Sequence, residues 1–169
     1  IERFENIHQK FMDIILSGGG PAEIISILAD YINNPVLFEV SYSRELISNW
    51  RSLNAEDQEL IRADYEAFRA DRARRRERRI TEQDFVRGGR RVRRKSIPIV
   101  LRDNIYGYLT SWTYDSELNS YDLSVMEVAA TVLSLLIMKS LSVREVEVKF
   151  ASEFYEDLIS EDAAKRDRA

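Results

Sequence analysis

Val125-Met126-Glu127-Val128-Ala129-Ala130-Thr131-Val132-Leu133-Ser134-Leu135-Leu136-Ile137-Met138 is the stretch on which the reading of this chain turns. It is apolar on almost every side, and from residue 121 to residue 159 the apolar pattern meets neither Gly nor Pro. After Met138 it thins to Val143, Val146, Phe150, Phe154 and Leu158. A helix over 121–159 spans roughly 55 Å, more than a domain of this size is wide. Its first half can be buried in a core. Its second half needs a partner, so Val143, Val146, Phe150 and Phe154 are the candidate contacts of a homodimer. They keep no strict heptad, which predicts a short packed helix pair rather than an extended coiled coil.

Working outward, Ser124 and Glu127 have capping-box spacing and place the helix start near Ser124, with Asp122 a competing cap. Before it, 91–101 and 105–114 predict the best hairpin of the chain. Arg102-Asp103-Asn104 supplies turn chemistry, since Asp and Asn tolerate left-handed backbone. Pro98 cannot donate to a ladder and marks an edge or a bulge, and Gly107 suggests close backbone approach. At the other end, Phe4, Ile7, Phe11 and Ile15 give a helix over 3–16, closed by Gly18-Gly19-Gly20. Pro21 opens a second helix, whose face is Ile24, Ile25, Leu28, Ala29 and Ile32. Strands are expected at 36–42 and 46–50, and a helix from residue 54 or 55 to about residue 80, with Ile61, Tyr65 and Phe68 as its narrow apolar stripe. This order is α+β: a central antiparallel sheet flanked by N-terminal helices and a long C-terminal helix.

The 169 residues read as one domain: a core at 1–120, the long helix at 121–159 and a flexible tail at 160–169. The first residue is Ile1, which suits a piece of a longer chain. The run 125–138 is interrupted by Glu127 and Ser134 and is shorter than a membrane span. With no cysteine there is no disulfide, thiolate nucleophile or Cys-anchored cofactor, which suits a cytoplasmic location.

Net charge is −4, unevenly spread. Residues 61–95 hold 14 of the 25 Lys and Arg against 6 acids, inside an otherwise acidic chain. The segment 69–95 therefore has two readings. It is either a surface for nucleic acid or another anionic partner, or a solvated helix followed by a charge-protected edge strand. Only Phe85 interrupts it, so it offers no stacking platform for single strands.

Catalytic chemistry is hard to assemble. His8 is the one histidine and lies beside the stripe of the first helix. No nucleophile motif, phosphate loop or metal-ligand spacing occurs, so no catalytic residue, metal or cofactor is expected. Tyr106, Tyr108 and Trp112 alternate on the last strand and share one face. Trp50 can join them, and together they are either packing under a helix or the wall of an apolar ligand pocket between the sheet and the helix at 55–80. Arg93 is the candidate anion contact there.

Several of these segments together resemble the GAF-like middle region of the PucR/CdaR regulators, bacterial transcription factors of purine catabolism and sugar-diacid use. They are the helix ending in 14–20, Asn34-Pro35-Val36-Leu37, Ile97-Pro98-Ile99-Val100, Gly107-Tyr108-Leu109, Asp122 with Glu127-Val128-Ala129-Ala130, and Val143-Arg144-Glu145-Val146-Glu147 running on to Phe154-Tyr155-Glu156-Asp157-Leu158-Ile159. The resemblance implies a GAF-like fold, a regulatory role that senses a small-molecule effector, and a last helix leading to a helix-turn-helix module that this chain lacks. DNA contact would belong to that module. The segment 54–90 matches no motif of the family.

Overall fold

The computed structural model describes residues 2–75 and 77–167; side chains are described except at 2–5, 87, 144–150, 154 and 160–167. The elements run α1 (Glu2–Leu16), α2 (Pro21–Ile32), β1 (Val36–Val40), β2 (Glu45–Asn49), α3 (Ala55–Arg75), β3 (Thr81–Arg87), β4 (Arg90–Leu101), β5 (Asn104–Trp112) and α4 (Ser120–Asp167). The five strands form one antiparallel sheet in the order β2-β1-β5-β4-β3. The α+β reading therefore stands.

Local chemistry sets the joints. Gly18 takes φ +79°, and the amide of Gly19 donates to Ile14 O at 2.8 Å, closing α1 as a left-handed cap. Asn33, at φ 56°, closes α2 in the same way. Arg51 also serves that helix end: its guanidinium donates to Ala29 O, Asp30 and Asn33, where a cation complements the helix dipole. The β4–β5 turn is the pair Arg102-Asp103, both with positive φ, so Leu101 faces Asn104 in a two-residue hairpin. Gly88-Gly89 makes a second such turn between Arg87 and Arg90.

Alternation divides the sheet into two faces. Val36, Phe38, Val40, Ile97, Ile99 and Leu109 share one face. There the layer of α1, α2 and the first turns of α4 buries Phe11, Ile24, Ile25, Leu28, Ile32, Met126 and Leu133. Each such side chain contributes about 1.5–3 kcal/mol of burial. The other face carries Leu37, Val92 and Trp112, which pack with Leu53, Ile61, Tyr65, Phe68 and Tyr114 under α3.

Two details bear out the sequence. At Gly107, a Cβ would lie 2.5 Å from Glu39 O, so a close strand crossing requires glycine there. Pro98 lies beyond the last β3–β4 pair, Thr81 with Ser96, and beside a bulge at Ile99/Val100, so it withholds no needed donor.

Four expectations change. The charged helix expected to reach about residue 80 stops at Arg75, and Thr81–Arg87, to which the sequence assigned no element, forms strand β3. The start of α4 is capped by Asn119 rather than Ser124: Asn119 and Asp122 exchange side-chain-to-amide hydrogen bonds of 2.8 and 3.0 Å, a reciprocal box one turn earlier. The tail expected at 160–169 continues as helix to Asp167, because Ala163, Ala164, Lys165 and Arg166 all propagate helix well. Finally, Ser120–Val143 is long and apolar enough, at mean hydropathy 1.6, to cross a membrane, whereas 125–138 alone is too short. Its residues Val125, Met126, Ala129 and Leu133 are nevertheless fully buried within the fold.

The chain divides into two compact units, Ile1–Ser134 and Leu135–Ala169, and α4 runs unbroken from the first into the second. In the second unit Leu135, Met138, Val143, Tyr155, Leu158 and Ile159 are all exposed. Val143 thus stands as an open apolar side chain; the side chains of Val146, Phe150 and Phe154 lie outside the described residues.

Candidate functional site

The face of the sheet under α3 is where the aromatic residues singled out by sequence converge, and it holds a set of buried charges as well. Trp112, on β5, is fully buried. Its ring lies 6.3 Å from that of Trp50 and 6.0 Å, edge on, from that of Tyr65. Tyr108, two pairs along the same strand face, is covered by the guanidinium of Arg72, whose Cζ lies 3.5 Å from its ring centroid. Tyr106 is half-buried nearer the hairpin turn, and its carbonyl accepts from Ser41. Arg93 is elsewhere: it is exposed on the opposite face, bound to Asp84 through Nε at 2.8 Å, and does not line the α3 face. Asp84 also pairs with Arg91, and these two arginines hold its carboxyl down at about 2.

Two ion-pair clusters fill the space between α3 and the sheet. In the first, Glu39 of β1 meets Arg72 through Oε2, both side chains being only 4% exposed. Its Oε1 lies 2.8 Å from Arg69 Nε but accepts no hydrogen bond. The Arg72 guanidinium sits among three rings, with Tyr65 and Phe68 at 5.5 and 5.4 Å in addition to Tyr108. Burial pulls its pKa down to about 10 and pushes the Tyr65 and Tyr108 hydroxyls up.

In the second cluster, Asp64 of α3 accepts from Arg94 Nη1 at 2.7 and 2.8 Å and from the Trp112 indole at 2.9 Å. Arg94 also donates to Gln83 and stacks 4.0 Å over Phe68. An open groove of about 450 Å³ runs along this cluster, lined by Asp64, Ala67, Phe68, Asp71, Arg75, Gln83 and Arg94.

Glu39 and Asp64 escaped the sequence reading, and Arg72 and Arg94 entered it only as part of the charged block 69–95, although two of the four leave a trace of their burial. Glu39 is the single charge in the otherwise apolar Val36-Leu37-Phe38-Glu39-Val40, in a strand buried along its whole length. Arg72 continues the stripe 61, 65, 68 by one more helical step, at the place where the next apolar residue would stand.

These pairings also decide the charge of segment 69–95. Arg69 and Arg72 face Glu39, Arg74 and Arg75 face Asp71, Arg91 and Arg93 face Asp84, Arg94 faces Asp64, and Lys95 faces Glu82. These eight cations share five carboxylates, so the segment, with 13 Lys and Arg in all, keeps a net positive charge even with its ion pairs formed.

His8 is exposed on α1. Among the described residues no group of three or more His, Cys, Asp or Glu is arranged to hold a metal ion.

No family model matches this chain, and no curated protein sequence does. Among solved structures it is similar to the GAF domain from Acinetobacter phosphoenolpyruvate-protein phosphotransferase, with a TM-score of 0.51 and 12% identity, over 84% of this chain and 94% of that domain. At that identity the likeness speaks for architecture. With the antiparallel order β2-β1-β5-β4-β3 between its helical layers, this chain has a GAF-like α+β fold.

Proposed function

We propose that this chain is a non-enzymatic regulatory domain, the effector-sensing and dimerisation part of a cytoplasmic bacterial transcription regulator of the PucR/CdaR type. The observation that carries this reading is α4. One helix of 48 residues, Ser120–Asp167, begins in the sheet-bearing unit and supplies the described part of the second. Large apolar residues in that second unit are open at 45–65% exposure, surface that water does not favour and a second copy would cover. A GAF-like core on such a helix supports a transmitter. An effector bound under α3 with different affinity for two packings would bias the helix start, which Asn34 ties to the core. The Asn34 side chain donates to Ile32 O and Ser116 O and accepts from the amides of Tyr114, Asp115 and Ser116, the linker into α4.

The rival use of segment 69–95, as a surface for nucleic acid or an acidic partner, loses Arg72, Arg94 and Lys95, which are buried in ion pairs within the fold. DNA contact is assigned to a module outside this chain. The test is mass in solution for the full chain and for a chain truncated after Ser140. The expected result is a dimer and a monomer respectively. A truncated chain that still dimerises, or a full chain that stays monomeric at tens of micromolar, refutes the pairing. A thermal-shift screen of purines, sugar acids and amino acids tests sensing separately.

A further inference from the structure

The geometry points to a cation site under α3, for a guanidinium or alkylammonium ligand, which the chain's own Arg72 occupies in the resting state. The inference rests on the sensing role proposed above and names the class of effector. The rings of Tyr65, Phe68 and Tyr108 have their centroids 5.5, 5.4 and 3.5 Å from Arg72 Cζ, and Glu39 pairs with the same guanidinium. Aromatic faces with one desolvated carboxylate are the chemistry that selects organic cations. The carboxylate also has unused capacity: Glu39 Oε1 is buried and accepts no hydrogen bond, although Arg69 stands at ion-pair distance. A planar ligand with several N–H donors would satisfy it, as a bidentate guanidinium does.

The occupant is placed so that it can leave. Arg72 stands in the last turn of α3, which ends at Arg75. The apolar anchors Ile61, Tyr65 and Phe68 all precede it. Around it, the ion pairs made by the final turn's described residues are the exposed ones of Asp71 with Arg74 and Arg75, and such pairs contribute little. A 3.4 Å hydrogen bond from Glu77 N to Arg72 O closes the helix. Unwinding that one turn withdraws Arg72 and opens the box while the rest of α3 stays seated. The second cluster would report the change, because the Trp112 indole is hydrogen-bonded to Asp64 on the same helix. Arg72 then acts as a tethered competitor, lowering the apparent affinity by the fraction of time the box is vacant.

The probe is methylguanidinium chloride, with N-methylurea as a neutral control of similar shape and sodium chloride for ionic strength. The readout is the Trp112 indole N–H resonance of the full chain, assigned with Trp50→Phe. The expected results are saturable binding in the native chain, at least about tenfold tighter binding in Arg72→Ala, loss of binding in Glu39→Gln, and no response to N-methylurea. No saturable shift in the native chain, no gain in Arg72→Ala, or undiminished binding in Glu39→Gln would each overturn the inference. Should Arg72→Ala not fold, Arg72→Lys takes its place: its compact ammonium fills the box less well, so methylguanidinium should bind more tightly than to the native chain, and equal affinity overturns the inference. If methylguanidinium fails while a neutral or anionic compound moves the Trp112 signal, the cation assignment falls and the sensing role survives. If no compound moves it, both fall.

Discussion

Glu39→Leu should be among the most damaging single substitutions in this chain, and Arg72→Met should largely repair it. Both side chains are 4% exposed, so Glu39→Leu strands a guanidinium that has no other carboxylate among its described ion pairs. An orphaned buried charge costs about 3–5 kcal/mol. Arg69 adds little to that loss, because it is 31% exposed and keeps Glu66 nearby at 3.8 Å. Arg72→Met alone should cost less than Glu39→Leu. Methionine keeps contact with the three rings, and the stranded Glu39 retains Arg69, although the cation–π attraction of about 1–2 kcal/mol is lost. In Glu39→Leu/Arg72→Met neither member of this pair is left as an orphaned charge, and stability should return to within about 1 kcal/mol of the native chain or exceed it. Urea unfolding followed by tryptophan fluorescence measures all four corners, because Trp112 and Trp50 lie in the same face. Unchanged m-values would license the comparison. Singles that each cost under about 1 kcal/mol, or a double variant equal to their sum, would refute the description of this pair as desolvated and coupled.

Other consequences are as direct. Asn34→Ala removes the acceptor of three consecutive amides at the entry to α4 and should cost about 2–4 kcal/mol in the same unfolding assay. Gly107→Ala places a methyl 2.5 Å from Glu39 O, a backbone atom that cannot turn aside, and should cost about 1–3 kcal/mol. Tyr65, Tyr108 and Tyr114 have hydroxyls pushed up chiefly by burial, with the hydrogen bond to Asp57 helping at Tyr114. Their neutral forms are favoured in the folded state. That stability is fully present below the unfolded value near 10 and is lost as pH rises through the higher folded values. An alkaline titration by tyrosinate absorbance should therefore show these three of the eight tyrosines ionising late, together with unfolding. All eight titrating near pH 10 in a folded protein would contradict it.

The apolar elements were legible because their periodicity is strong. Ile24, Ile25, Leu28 and Ile32 of α2, the Leu101–Asn104 hairpin and the long α4 all follow from spacing and turn residues. The strand β3 was not, because Thr81–Arg87 carries Glu82, Asp84 and Arg87 and looks like the charged helix before it. Its signal lies across the Gly88-Gly89 turn, where Glu82 faces Lys95 and Asp84 faces Arg93, a complementarity visible only once the two segments are paired. The aromatic half of the α3 face was readable from alternation on β5. Its charged half was not, since a lone Glu or Arg in a sequence looks solvated until a partner from a distant element is brought to it. Arg93 shows the converse: sequence placed it near the aromatics, while strand alternation turns it to the other face, against Asp84.

The pairing of α4 with a second copy can be read most directly from a single spin label. The native chain has no cysteine, and Ser142 is exposed in the second unit, so Ser142→Cys carries one label without touching the apolar side chains. If the helices pair, dipolar spectroscopy should give a defined distance between two labels, and that distance should disappear when the labelled chain is diluted into an excess of unlabelled chain. A signal from isolated spins only, at concentrations where the chain is folded, would contradict the covering of α4 by its own copy.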